Sequence, residues 1–162
     1  MANNNISPFF TVSTMTPQKM LSTSLKKQDL IKEKSYDILL VDDNPDILAS
    51  ISAYLEKKGS SITKASDGRA ALEAIKKICF DLIITDLNIP GANGLAVLKE
   101  AKILHPDTIV IIASGDQDIE SVVEALHLGA DGYLLKPFGE DELCIHINQC
   151  FKKLEEKKRS MV

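Results

Sequence analysis

An open parallel β-sheet covered by helices on both faces is the fold class that residues 36 to about 156 predict. Three observations predict it. Short β-branched runs alternate five times with longer stretches of helical period. The central runs are almost entirely apolar, as strands buried on both faces must be. The links between runs are short, and right-handed strand–helix–strand crossovers with short links build such a sheet.

The five strands are expected at YDILLV (36–41), SSITKA (60–65), DLIITD (81–86), TIVIIAS (108–114) and DGYLL (131–135). Each is followed by a helix with a legible start or stop. Asn44-Pro45 opens the first helix, with Pro at the first helical position, and Gly59 closes it. Asp67 caps the second, whose apolar face is Ala71, Leu72, Ile75 and Ile78. Asn93 caps the third, which runs through Leu95, Leu98 and Leu104. The fourth presents Ile119, Val122, Val123 and Leu126 and stops at Gly129. The fifth begins near Gly139 and packs Leu143, Ile147, Phe151 and Leu154. The whole reads (βα)₅.

Composition supports one globular domain with an extension. The 162 residues are 44% apolar and 26% charged, enough for a core that needs neither disulfides nor a structural metal. Cys79, Cys144 and Cys150 are odd in number and lack metal spacing, so reduced thiols are expected. Residues 1–35 carry five Lys against two acidic residues, a net +3, whereas residues 36–162 carry 14 Lys and Arg against 21 Asp and Glu, a net −7. An acidic globular part without a basic stripe argues against direct nucleic-acid binding. No apolar run is long enough to span a membrane, and the N-terminus lacks the pattern of a secretory signal. A cytoplasmic location is expected.

Residues 1–35 read as a flexible extension, with a short helix over 17–34 as the one element it offers; Leu21, Leu25 and Leu30 or Ile31 make a stripe too thin for a coiled coil. The domain is expected over 36–156 and a C-terminal tail over 157–162.

Ligands of open α/β sheets bind beyond the carboxyl ends of the strands. There the first strand ends in Asp42-Asp43, the third in Asp86, the fourth in Ser114, and the fifth runs into Lys136-Pro137. Three carboxylates on one rim repel unless a cation offsets them, and an all-oxygen cluster suits a hard divalent ion, most simply Mg²⁺. Lys136 adds a point positive charge and Ser114 a neutral hydroxyl. Such a set is organised for a phosphoryl group rather than for hydride transfer or proteolysis. A lone acidic pair after a strand is ordinarily a turn and helix cap, and a lone Lys-Pro is commonplace; their joint occurrence at four strand ends is what carries the reading.

The stretches ILLVDDNPDI, DLIITDLNIPGANGL and VIIASGDQDIESVVEALHLGADGYLLKPF resemble the receiver domain of two-component response regulators, over residues 36 to about 155. The resemblance implies a flavodoxin-like three-layer fold with strand order 2-1-3-4-5. It implies Asp86 as phosphoacceptor, Asp43 as a direct Mg²⁺ ligand, and Asp42 as a ligand often acting through water. The backbone carbonyl of Asn88 would complete the protein ligands, and Mn²⁺ would substitute for Mg²⁺. Ser114 matches the switch hydroxyl, Tyr133 the aromatic switch position, and Lys136 the phosphate-binding lysine, with Lys136-Pro137 expected cis. Asn88 and Asp116, each two residues beyond a site residue, are expected to set phosphoryl lifetime by positioning water, although Asp116 reads equally well as a cap of the fourth helix.

The resemblance also implies a signalling switch, not an enzyme acting on other substrates. The phosphodonor would be a sensor histidine kinase or a histidine phosphotransfer protein. The surface of the fourth helix, fifth strand and fifth helix would meet an output partner, a downstream domain or, as a homodimer, a second copy. His105, His127 and His146 share no strand end with the acidic cluster, so structural or surface roles are expected and the phosphohistidine belongs to another protein. Two rival readings compete with the switch. A flavin-phosphate or phosphatase domain of the same architecture would need a Gly/Ser/Thr-rich first loop or a DxDxT nucleophile motif; DDNPD and TDLNIP are neither. An interaction module with the receiver fold but no phosphorylation is the alternative. The few residues after the fifth helix hold no output domain, which leaves open both a stand-alone regulator and a piece of a longer protein.

Overall fold

The computed structural model describes residues 11–12, 35–115 and 119–160. The expected helix over 17–34, Asp116 and residues 161–162 lie outside the described residues. Six strands form one parallel sheet: β1 (Thr11–Val12), β2 (Asp37–Val41), β3 (Ser61–Ala65), β4 (Leu82–Thr85), β5 (Ile109–Ser114) and β6 (Gly132–Leu135). Five helices follow the last five strands: α1 (Pro45–Lys57), α2 (Gly68–Lys77), α3 (Gly94–Leu104), α4 (Ile119–His127) and α5 (Glu140–Ser160).

The strand order is β1-β6-β5-β4-β2-β3. Over the five strands that alternate with helices, this is the expected 2-1-3-4-5. A sixth strand beyond that expectation, β1, comes from the segment expected to be a flexible extension and pairs on the outer edge of β6. The last helix also runs past the expected boundary at 156, as far as Ser160. Its final turn carries Lys157, Lys158 and Arg159, whose charges suit a helix C-terminus.

Strand alternation divides the core into two layers. Leu39, Val41, Ile83, Val110, Ile112 and Tyr133 face α2, α3 and α4, where they meet Ala71, Ile75, Val97, Leu98, Ala101 and Ala125. Ile38, Leu40, Ile84, Ile111, Ala113 and Leu134 face the other way, onto Leu48 and Leu55 of α1 and Leu143, Ile147 and Cys150 of α5. Every residue of β4 and β5 is buried, which is why those runs contain no alternating polar face. The helix boundaries follow their caps: Asn44 Oδ1 accepts from Asp46 N at 2.9 Å, Asp67 Oδ1 from Ala70 N at 2.7 Å, and Asn93 Oδ1 from Ala96 N at 2.9 Å. Gly59, at φ 95°, closes α1 with its N–H donating to Glu56 O.

One buried network ties the far end of the sheet together. Lys102 Nζ, from α3, donates to Asp131 Oδ2 and to Thr108 O, each at 2.7 Å. The same Asp131 oxygen accepts from Val110 N at 2.9 Å. Thr108 Oγ1 donates to Phe80 O at 2.7 Å. Among the described residues no buried side-chain polar atom is left without a partner.

Candidate functional site

Asp42, Asp86 and Lys136 each sit just past a strand, and backbone bonds keep them in line with the ladder. Asp42 N donates to Ala65 O, Asp86 N to Val41 O, and Lys136 N to Ser114 O, at 3.0 to 3.2 Å. Val41 is register partner of Thr85, so the following residues, Asp42 and Asp86, emerge side by side. Ser114 is register partner of Leu135, so Lys136 leaves the sheet at the same rim. Parallel pairing thus converts four separate positions in sequence into one site.

At that rim, Lys136 Nζ lies 2.5 Å from Asp42 Oδ2 and 2.8 Å from Asp86 Oδ2. Carboxylate oxygens of Asp42, Asp43 and Asp86 lie within 4.8 Å of one another. Asp42 is buried, Asp86 half-buried and Asp43 exposed, a gradient that leaves the cluster open to solvent on one side. Backbone holds the second oxygens of the two inner carboxylates: Asn44 N donates to Asp42 Oδ1 at 2.9 Å and Asn88 N to Asp86 Oδ1 at 3.2 Å. Burial would lower the pKa of Lys136, but its hydrogen bonds to Asp42 and Asp86 and their charges outweigh that and hold it above the ordinary lysine value. The ammonium therefore stays charged between two carboxylates. The donor set, all oxygen and all anionic, fits a hard divalent cation.

The loop after Asp86 packs tightly onto its own strand end. Gly94 N donates to Leu87 O at 2.9 Å, and a Cβ built at Gly94 would stand 2.1 Å from Asp86 O. Only glycine permits that approach. The Lys136-Pro137 peptide bond is cis, as expected.

Asp42, Asp43, Asp86 and Lys136 are thus brought together, with Asn88 joined through its N–H. Ser114 ends β5 and Tyr133 lies within β6; both are fully buried. Asp116 lies outside the described residues. Three contributors go beyond what the sequence predicts. Asn44, expected only as a helix cap, also fixes Asp42 through its N–H. Thr85 Oγ1 donates to Asp86 O at 3.0 Å, from a fully buried position. Gly94 carries a constraint that arises only in three dimensions. For Asn44 and Thr85, adjacency to the acidic residues is the signal available in sequence. The histidines stay apart from the site: His105 Nε2 pairs with Ile75 O at 3.1 Å, and His146 is buried in α5.

A parallel (βα)₅ sheet with an acidic cluster and a lysine at its carboxyl rim defines a class of α/β domain. Residues 38–148 match the family model described as "Response regulator receiver domain", and the chain belongs to that family of two-component signal transduction. It is 39% identical over 107 residues to the transcriptional regulatory protein ZraR of Escherichia coli, covering 66% of this chain and 24% of ZraR. It is 30% identical over 123 residues to FixJ of Bradyrhizobium diazoefficiens, covering 76% of this chain and 60% of FixJ. The chain therefore spans about a quarter of the length of ZraR. Among solved structures, a CheY-like receiver domain protein from Methanospirillum hungatei superposes with TM-score 0.71 at 31% identity, over 78% of this chain and 99% of that one. NtrX from Brucella abortus gives TM-score 0.72 at 32% identity, over 79% of this chain and 30% of NtrX. No helix among the described residues is long and apolar enough to cross a membrane.

Proposed function

We propose that this chain is a phosphorylation-driven switch in which Asp86 accepts a phosphoryl group from a partner's phosphohistidine, on a sensor histidine kinase or a histidine phosphotransfer protein. The observation that carries this is the Lys136 ammonium spanning Asp42 and Asp86 beside a third carboxylate, Asp43. An Asp86 carboxylate oxygen forms the new bond to phosphorus as the P–N bond of the donor breaks. The electron pair stays on the imidazole nitrogen, which takes a proton from solvent. Such transfers depend on in-line positioning and charge neutralisation more than on acid–base help.

Asp42, Asp43, Asp86 and the carbonyl of Asn88 would hold a Mg²⁺ ion, or Mn²⁺ in its place, which supplies charge neutralisation to the incoming phosphoryl oxygens. Lys136, whose ammonium lies 2.8 Å from Asp86 Oδ2, would pair with an oxygen of the phosphoryl group. An apolar groove lined by Ile47, Ile51, Pro137 and Phe138 opens beside Lys136 and offers the donor protein a surface next to the acceptor. Phosphorylation adds about −1.5 to −2 charges. Ser114 then bonds the new group, and Tyr133 follows on the neighbouring strand, so the α4–β6–α5 face changes for an output partner, a downstream domain or a second copy. Membership of the receiver family and the acidic charge of the domain support a cytoplasmic signalling switch rather than an enzyme or a nucleic-acid-binding module.

Incubation with acetyl phosphate and Mg²⁺, read by intact mass, should add one phosphoryl group to the wild type and none to Asp86→Asn. Absence of an adduct with acetyl phosphate and with phosphorylated kinase, under any divalent ion, would replace this reading by that of an unphosphorylated interaction module. Asn88 and Asp116 are proposed to position the hydrolytic water. Decay of the adduct should slow in Asn88→Ala and in Asp116→Ala, and an unchanged decay rate in both removes them from that role.

A further inference from the structure

The outer edge of β6 is a sheet edge without the usual protection. Its residues, Gly132-Tyr133-Leu134-Leu135, include no charged residue and no proline, the features that ordinarily discourage further strand pairing. Yet the edge is paired. Thr11 and Val12 lie parallel to it in the register Thr11↔Gly132 and Val12↔Tyr133. The paired segment falls outside residues 38–148, the part matched by the receiver family. The strand is therefore an addition to the receiver architecture, supplied by the chain's own extension.

We infer that the outer edge of β6 is a strand-docking surface, and that its occupant is the N-terminal segment of the same chain, centred on Thr11–Val12. Three observations favour this occupant. The register places it directly on the strand that carries Tyr133. Composition favours it: residues 1–18 carry no charged side chain, which suits an edge strand that carries none. Reach permits it. Four interstrand steps separate β1 from β2 in the sheet order, about 19 Å at roughly 4.8 Å each, and the intervening residues 13–36 can span several times that distance. Tethering also holds the segment at an effective concentration on the order of millimolar, which offsets the weakness of a two-residue pairing.

The edge lies between α4 and α5. With the α4–β6–α5 face as the output surface, any partner strand or second copy must share this edge with the segment already on it. Only that consequence rests on the phosphorylation reading; the docking itself does not.

Hydrogen exchange on the full-length protein tests the docking without any phosphodonor. The comparison is wild type against Thr11→Pro/Val12→Pro, which removes whichever of the two N–H groups faces β6. The amides among Gly132–Leu135 that point away from β5 should exchange about tenfold faster or more in the variant, with β4 and β5 amides unchanged as the check on folding. In the wild type that protection should be independent of protein concentration. Equal exchange at Gly132–Leu135 in the two proteins would overturn the docking. Protection that rises with concentration alongside a dimeric mass would overturn the assignment to the same chain and give the edge to a second copy. Asp86→Asn should keep the wild-type protection, so a failed phosphorylation reading and a failed docking leave different records.

Discussion

Gly94 shows how much of the site rests on a residue with no functional group. Its missing Cβ lets the start of α3 lie against the carbonyl of Asp86, which a methyl group would approach to 2.1 Å. Because the opposing atom is backbone, it cannot swing aside. Gly94→Ala should cost about 1–3 kcal/mol, as overpacked positions do. Urea denaturation would record this as a lower midpoint at unchanged slope. The same displacement moves Asp86 relative to Lys136, so acetyl-phosphate labelling should slow as well; a variant as stable and as readily labelled as the wild type would show that the loop relaxes freely. The acidic cluster itself was largely legible at this scale, because polar residues at the ends of apolar runs stand out. The sharing of Lys136 between Asp42 and Asp86 was not, since residue order says nothing about which of several carboxylates a lysine reaches.

Between elements, the contact with the clearest energetic consequence is that of α3 with the start of β5 and β6. Lys102 reaches from the last turn of α3 to Asp131, which is 6% exposed and also accepts the Val110 N–H. Removing the lysine leaves a buried carboxylate with only neutral donors. Lys102→Ala should therefore destabilise by about 3 kcal/mol, the lower end of the range for breaking a buried pair from one side. Asp131→Asn, which keeps an amide oxygen for Val110, should cost less. Thermal unfolding of the two variants checks the order, and equal losses would mean that the charge of Asp131 is already screened. The apolar pattern placed α3 and both strands but held no sign of this link, which joins residues 29 positions apart.

At the level of the whole molecule, the three cysteines report on how the layers close. Cys79 is exposed, Cys144 half-buried, and Cys150 buried in the layer beneath α5. Burial first, then the charge of Asp131, pushes the Cys150 thiol up to about 12, against opposing effects of Lys153 and Lys102. In the unfolded chain the thiol ionises near its ordinary value of 9.0. Between those values the unfolded state loses a proton that the folded state keeps. The contribution of Cys150 is thus complete below about pH 9 and is lost as pH rises toward 12. Iodoacetamide at about pH 8, just below the ordinary thiol range, should modify Cys79 in the native protein and Cys150 only after denaturation, as mapped by peptide mass. Equal native reactivity at the two would mean that α5 opens from the sheet far more readily than its packing implies.

The number and chain order of the five alternating strands and helices were determined by sequence alone, because buried parallel strands need unbroken apolar runs and helices need caps, and both leave local marks; the far end of α5, which no cap marks, was not. The rim of acidic residues came from the same marks, since the carboxyl end of a strand is a place that chain order already names. Tertiary structure decided what depends on distance across the sheet: the two-carboxylate grip of Lys136, the Gly94 contact, the Lys102–Asp131 link and the pairing of Thr11–Val12 on β6. A two-residue strand is too short to show a period. Its partner lies about 120 residues away in the chain, and only the folded sheet offers the free edge that makes it a strand.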